Sequence, residues 1–180
     1  MNVLVISASP RTIGRTGVVG RYLKNSYDVE LMDLAKNPLP LYTGEPAQAE
    51  SEQIKDFRKK VLDADGIVLV SPEYHGAMSG AAKNALDFLS ADHFRYKATA
   101  IMVCAGGGKG GINALGNMRT TLRSLYANTI PTQMVLDPVD IDRENDTLME
   151  GIVPKVQGLM EEFFYYTQAG IEIRKAKAKG

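Results

Sequence analysis

The chain has 180 residues, of which 44% are apolar and 23% charged, with 21 basic side chains balancing 21 acidic ones. That is the size and composition of one soluble globular domain, and its neutrality argues against nucleic acid or an anionic membrane as partner. No apolar run approaches the ~18 residues of a membrane span and no basic segment precedes a signal-like core, so a cytoplasmic protein is expected. One cysteine, Cys104, and two histidines, His75 and His93, are too few for a Cys/His zinc set. Cys104 ends an apolar run and reads as a buried structural thiol.

In chain order, Val3 to Ile6 form an unbroken apolar run, the mark of a parallel strand covered on both faces. A loop rich in hydroxyls and arginines follows, Ser7 to Gly17, and opens onto a helix expected from Gly17 to Asn25. Such a loop is either a polar connection or an anion cradle. Its place after the first strand of an open sheet, before a helix N-terminus, favours the cradle. Val29 to Met32 reads as a second strand, and the prolines between Lys36 and Pro46 make a long loop, a lid, a partner contact or plain surface packing.

A helix is expected from Gln48 to Ala64, with Ile54, Phe57, Val61 and Leu62 on one face. A third buried strand, Ile67 to Val70, runs into a second loop, Ser71 to Gly76, and Ser79 is a candidate cap for a helix from Gly80 to Leu89. A fourth strand, Ala98 to Ala105, leads to the glycine run Gly106 to Gly111 and a helix from Asn113 to Tyr126. Thr132 to Leu136 is the fifth strand and Asp137 to Asp146 reads as irregular. The last helix spans Thr147 to about Gln168, with Pro154 starting or kinking it. The repeated β-α order predicts a flavodoxin-like, doubly wound five-stranded parallel sheet of order 2-1-3-4-5 in a three-layer α/β/α domain, residues 1–170. A basic tail, residues 171–180, is expected to be solvated.

The loops after strands one, three and four then converge on one edge. A Walker A loop fails because Lys109 is followed by Gly110. Gly106-x-Gly108-x-x-Gly111 matches a dinucleotide fingerprint, but three complete β-α units precede it and the next strand ends at Asp137, beyond the usual ~20-residue offset. The first and third strands end in serines, so a magnesium-dependent phosphoacceptor site is excluded, and no Gly-x-Ser-x-Gly elbow exists. Gly76 and Gly106 to Gly108 leave backbone free to approach a flat ring.

Three segments carry a resemblance: Ser9-Pro10-Arg11 with Gly14-Arg15-Thr16, then Ser71-Pro72-Glu73-Tyr74-His75-Gly76, then Ser79 to Asp87. With them the chain, from Val3 to about Gly170, resembles the NAD(P)H-dependent FMN reductases of the flavodoxin-like superfamily. It is most similar to their azobenzene reductases, which share the Gly106 to Leu115 run. The resemblance implies FMN, its phosphate on Ser9, Arg11, Arg15, Thr16 and the Gly17 amide. It further implies a ring bordered by Pro72, Glu73, Tyr74, His75 and Gly76 on one side and Ala105, Gly106, Gly107 and Gly108 on the other. NADPH, or NADH, is the implied hydride donor, Lys109 a candidate for its phosphates, and azo compounds, quinones or similar small molecules the acceptors in a ping-pong cycle. No catalytic side chain is implied, and Tyr74 and His75 are the ring-contacting candidates.

A homodimer or homotetramer is implied, with Lys83 and Asp87 near the interface. Two positions depart from the family pattern, His75 and Arg15, where asparagine is usual. A non-enzymatic flavodoxin-type carrier and a flavin-free nucleotide-binding module are the alternatives, the first weakened by the neutral charge.

Overall fold

The computed structural model describes residues 1–107 and 110–179. Its sheet has β1 (Val3–Ser7) flanked by β2 (Glu30–Asp33) and β3 (Gly66–Tyr74), with β5 (Ala98–Cys104) beyond β3. At the far edge β6 (Asn128–Thr129) and β7 (Met134–Leu136) both pair with β5 in parallel. In terms of the five expected strands the order is 2-1-3-4-5, as predicted. The fifth strand is split, because Pro131 has no N–H to give to a ladder.

Alternation along the strands builds the three layers. Leu4, Ile6, Ile67, Leu69, Ile101 and Val103 face a core closed by α3 (Glu52–Asp63), α4 (Gly80–Asp87) and α6 (Ile112–Ser124). Val3, Val5, Val68, Val70, Ala100 and Met102 face α1 (Arg15–Ser26) and α7 (Val153–Lys177). Every one of these side chains is at most 2% exposed, so neither face of the central strands meets water.

Several boundaries differ from the sequence reading. The helix expected from Gln48 is two, α2 (Pro46–Ala49) and α3, divided where Ser51 turns out of helical geometry to cap α3 by accepting from the Ile54 N–H. A further short helix, α5 (Ala91–Phe94), lies in the next connection. The stretch Ser71 to Tyr74 belongs to β3, which reverses through His75 and Gly76 into β4 (Ala77–Met78). Both turn residues have positive φ, 52° and 78°, the geometry of a type I′ hairpin turn. The segment expected to be irregular, Asp137 to Asp146, holds β8 (Ile141–Asp142), which forms a second hairpin with β9 (Thr147–Leu148) where the last helix was expected to begin.

α7 starts later than expected, with Pro154 in its first turn, and runs on to Lys177. Residues 171–177 therefore continue α7 as helix, with most of their side chains exposed. Arg174 anchors them: its guanidinium donates to the Asp65 carboxylate at 2.6 Å and to the Tyr96 carbonyl at 3.3 Å. Asp65 also accepts from the Asn2 backbone N–H at 2.7 Å, which ties the start of the chain to the last helix.

Two predictions follow from this packing. A methyl added at Gly170 would sit 2.5 Å from the Tyr96 carbonyl oxygen, whereas one at Gly158, on the same helix, meets nothing within 4 Å. Gly170→Ala is expected to destabilise by about 1–3 kcal/mol and Gly158→Ala to stabilise by up to about 1 kcal/mol in urea unfolding. At the hairpin turn, His75→Asn should leave stability unchanged or raise it slightly, because asparagine accepts left-handed geometry readily. His75→Val should cost about 1–3 kcal/mol in the same assay.

Candidate functional site

The first loop leaves the sheet at a buried end. Ser7, Ala8 and Ser9 are each no more than 2% exposed, and the Ala8 N–H continues the ladder by donating to the Val70 carbonyl at 2.8 Å. The Ser9 hydroxyl oxygen accepts from the Arg11 N–H at 3.1 Å, which turns the chain about Pro10. The loop then enters α1 through Gly14, an extended residue with no side chain to cap the helix, and no acidic residue follows in the first turn. Four backbone N–H groups at a helix start have no partner within the helix. Here their partial positive charge stays unneutralised beside Arg11 and Arg15.

The helix at the neighbouring loop is treated in the opposite way. The Glu73 carboxylate at the end of β3 accepts from the Ala114 N–H, in the first turn of α6, at 2.9 Å. α6 is thereby satisfied by the protein itself, and the negative charge of Glu73 is committed to it. Of the helix starts at this sheet edge, that of α6 is thus met by a carboxylate and that of α1 is left open.

Two buried serines lock the loops together. The Ser79 hydroxyl donates to the Ala8 carbonyl and accepts from the Ala82 N–H at 3.0 Å, while the Ser79 N–H donates to the Ser71 hydroxyl oxygen at 3.0 Å. Both serines are fully buried, so these bonds have no competing water. Sequence reading found Ser79 as a helix cap and missed Ser71. The available signal was a serine closing an otherwise apolar buried strand.

Among the expected site residues, Ser9, Arg11, Arg15 and Thr16 from the first loop meet Pro72, Glu73 and Tyr74 from β3 and Ala105 and Gly106 after β5 around one cleft of about 100 Å³. Gly17 is buried within the first turn of α1, and His75, Gly76 and Gly107 are exposed positions outside the cleft lining. Gly108 and Lys109 lie outside the described residues. Among the described residues neither Arg11 nor Arg15 has a carboxylate partner. The cleft is therefore a positive, hydroxyl-lined pocket whose size suits a phosphoryl group, with an open helix start at its floor.

What the cleft lacks is a side chain poised for proton or acyl transfer. Cys104 lines it, but burial pushes its thiol up to about 12, against a weaker opposing influence from the Thr16 hydrogen bond and the Arg15 charge. His93 is spent elsewhere: its Nδ1 accepts from the Ser90 N–H at 3.1 Å, and burial holds its imidazole below the usual value. Among the described residues no group of three His, Cys, Asp or Glu side chains is placed to hold a metal, and no helix is long and apolar enough to cross a membrane. The arrangement offers an anion a positive, hydroxyl-lined cradle with backbone beside it.

Comparison with known proteins places the chain in a family. The family described as NADPH-dependent FMN reductase matches residues 1–140. An NADPH azoreductase of Bacillus sp. (strain OY1-2) is 45% identical over 175 residues, covering 97% of each chain. An FMN-dependent NADPH-azoreductase of Staphylococcus aureus (strain USA300) is 34% identical over 158 residues, covering 81% of this chain and 82% of that one. Among solved structures, the flavoenzyme NAD(P)H:(acceptor) oxidoreductase FerB of Paracoccus denitrificans shares the fold with a TM-score of 0.78 at 17% identity, covering 94% of this chain and 98% of the other. From the match over most of its length, and from relatives above 30% identity across four-fifths or more of it, the chain belongs to the NADPH-dependent FMN reductase family.

Proposed function

We propose that the protein is an FMN-dependent NAD(P)H oxidoreductase that passes hydride to small acceptors such as azo compounds and quinones in a ping-pong cycle. The observation that carries this reading is the open start of α1, uncapped and flanked by Arg11 and Arg15, beside an α6 already closed by Glu73. Ser9, Arg11, Arg15, Thr16 and the Gly17 amide would hold the FMN phosphate. Residues Pro72 to Gly76 and Ala105 to Gly108 would border the ring, with Tyr74 and His75 as the side chains nearest the reacting face. Bound FMN supplies the hydride-transfer chemistry, for which the fold need provide only position, backbone donors and an accessible face.

The residues present fit that group. A dianionic phosphate needs charge-assisted donors and a fixed helix start, and both are there, while the one carboxylate of the lining, Glu73, is engaged by the Ala114 N–H. Glu73 acts as a positioning residue, holding the start of α6 against β3. We further propose a cytoplasmic homodimer or homotetramer with Lys83 and Asp87 near the interface. In the single chain these two form an i,i+4 pair on α4 at 2.5 Å, half-exposed and available to a partner.

The test is an anaerobic visible spectrum of the FMN-reconstituted protein, before and after a slight excess of NADPH. Bleaching of the flavin band within seconds is expected. Bound flavin that stays oxidised with both NADPH and NADH would instead indicate an electron carrier, and failure to bind flavin would overturn the assignment. Arg11→Met is expected to weaken FMN binding by about 10- to 100-fold in flavin-quenching titrations, the loss of one charge-assisted contact. Glu73→Ala should destabilise the fold by about 1–3 kcal/mol and weaken FMN binding, whereas Glu73→Gln, which keeps an acceptor for the Ala114 N–H, should retain most of both.

A further inference from the structure

On the other side of Gly14 and Arg15 from the phosphate cleft lies a larger cavity of about 690 Å³, walled by the first loop, α1, the turn after β7 and the β8–β9 hairpin. Its size is that of a pocket for a sizeable organic ligand. The two spaces share Gly14 and Arg15 in their walls, so a ligand engaged at the cleft has the cavity within its immediate neighbourhood. The chain gives this cavity a defined wall. Arg21 reaches back along α1, its guanidinium so close over Gly17 that a methyl there would meet it at 3.0 Å. It grips Asp146, in the turn of the hairpin, with two hydrogen bonds, 2.6 and 2.5 Å.

The charges facing the cavity are unequally committed. Arg21 and Asp146 neutralise each other, and Asp142 is taken up within its own turn, accepting from the Glu144 and Asn145 N–H groups and the Asn145 side chain. Of the rest, Arg15 and Arg143 have no ion-pair partner among the described residues, and Glu144 is the one opposing acid. Apolar side chains crowd the same mouth in the open: Ile13 is 74% and Val139 79% exposed. With Arg15 given to the FMN phosphate, the Arg143 guanidinium and the exposed aliphatic side chains at the rim are matched to a ligand carrying both a phosphate and a flat heterocycle.

We propose that this cavity receives the adenosine 2′-phosphate half of NADPH, with Arg143 on the 2′-phosphate and the Ile13–Val139 rim against the adenine, so that it sets preference for NADPH over NADH. The inference rests on the reductase reading above and adds to it a residue that chooses the donor. Arg143 lies on the exposed hairpin turn and makes no hydrogen bond within the chain among the described residues, so its replacement leaves the fold intact. Glu144, beside it, works against an anion and so tunes the same preference in the opposite direction.

The experiment uses the FMN-reconstituted protein. Calorimetric titration with adenosine 2′-monophosphate should show binding that adenosine 5′-monophosphate does not match. Arg143→Met should weaken it by about 10- to 100-fold, and Glu144→Gln should strengthen it. In steady state the ratio of kcat/KM for NADPH to that for NADH should fall at least tenfold in Arg143→Met and partly recover in Arg143→Lys. If flavin is reduced but that ratio is the same in wild type and Arg143→Met, or if the 2′- and 5′-monophosphates bind alike, the cavity does not select the donor and the proposal is overturned. If neither nucleotide reduces the flavin, the reductase reading itself fails and takes this inference with it.

Discussion

Because β1, β3 and β5 are apolar on both faces, they have nowhere to lie except between two helical layers, and that burial decides most of what the rest of the molecule does. Parallel strands in such a sheet must return by crossovers, so every loop that follows a strand leaves from the same edge. The first loop, the β3–β4 hairpin and the glycine loop are neighbours for that reason alone. The Ser71, Ser79 and Ala8 bonds then convert neighbourhood into fixed geometry, at a depth where no water competes for them.

Charge at that edge is arranged by omission as much as by placement. Glu73 would be a poor residue to put beside an anion if its carboxylate were free, but it is spent on α6. The other helix start receives no carboxylate at all. An electrostatic asymmetry between two otherwise similar β-α junctions is what makes one of them a ligand site and the other a piece of scaffold.

The fold was legible because its strongest signals are local. Val3 to Ile6, Ile67 to Val70 and Ala100 to Cys104 are continuous apolar runs, and the residues of the first loop that meet at the cleft all fall between Ser9 and Thr16. What stayed hidden depends on partners far along the chain. Arg174 looks like part of a solvated tail until Asp65, 109 residues away, is seen to hold it, and that contact is what carries α7 through to Lys177. Lys97, in the connection before the fourth strand, has no sequence signal for burial, yet its ammonium is buried and donates to the Val61 and Leu62 carbonyls at the end of α3. The capping role of Glu73 was unreadable for the same reason, since its partner is a backbone N–H with no side-chain signature. The β8–β9 hairpin escaped because its strands are two residues long, too short to show any alternation.

The single thiol of the chain gives the folded molecule an unusual property. Cys104 is 4% exposed and burial pushes its thiol well above the ordinary cysteine range, so at neutral pH its thiolate is strongly depleted, in addition to being screened from reagents by the surrounding walls. The native chain is thus nearly silent to maleimides and to disulfide exchange, while the unfolded chain carries one ordinary, reactive sulfhydryl. Labelling at that one atom counts openings of the sheet beside the cleft, with no probe to be engineered in.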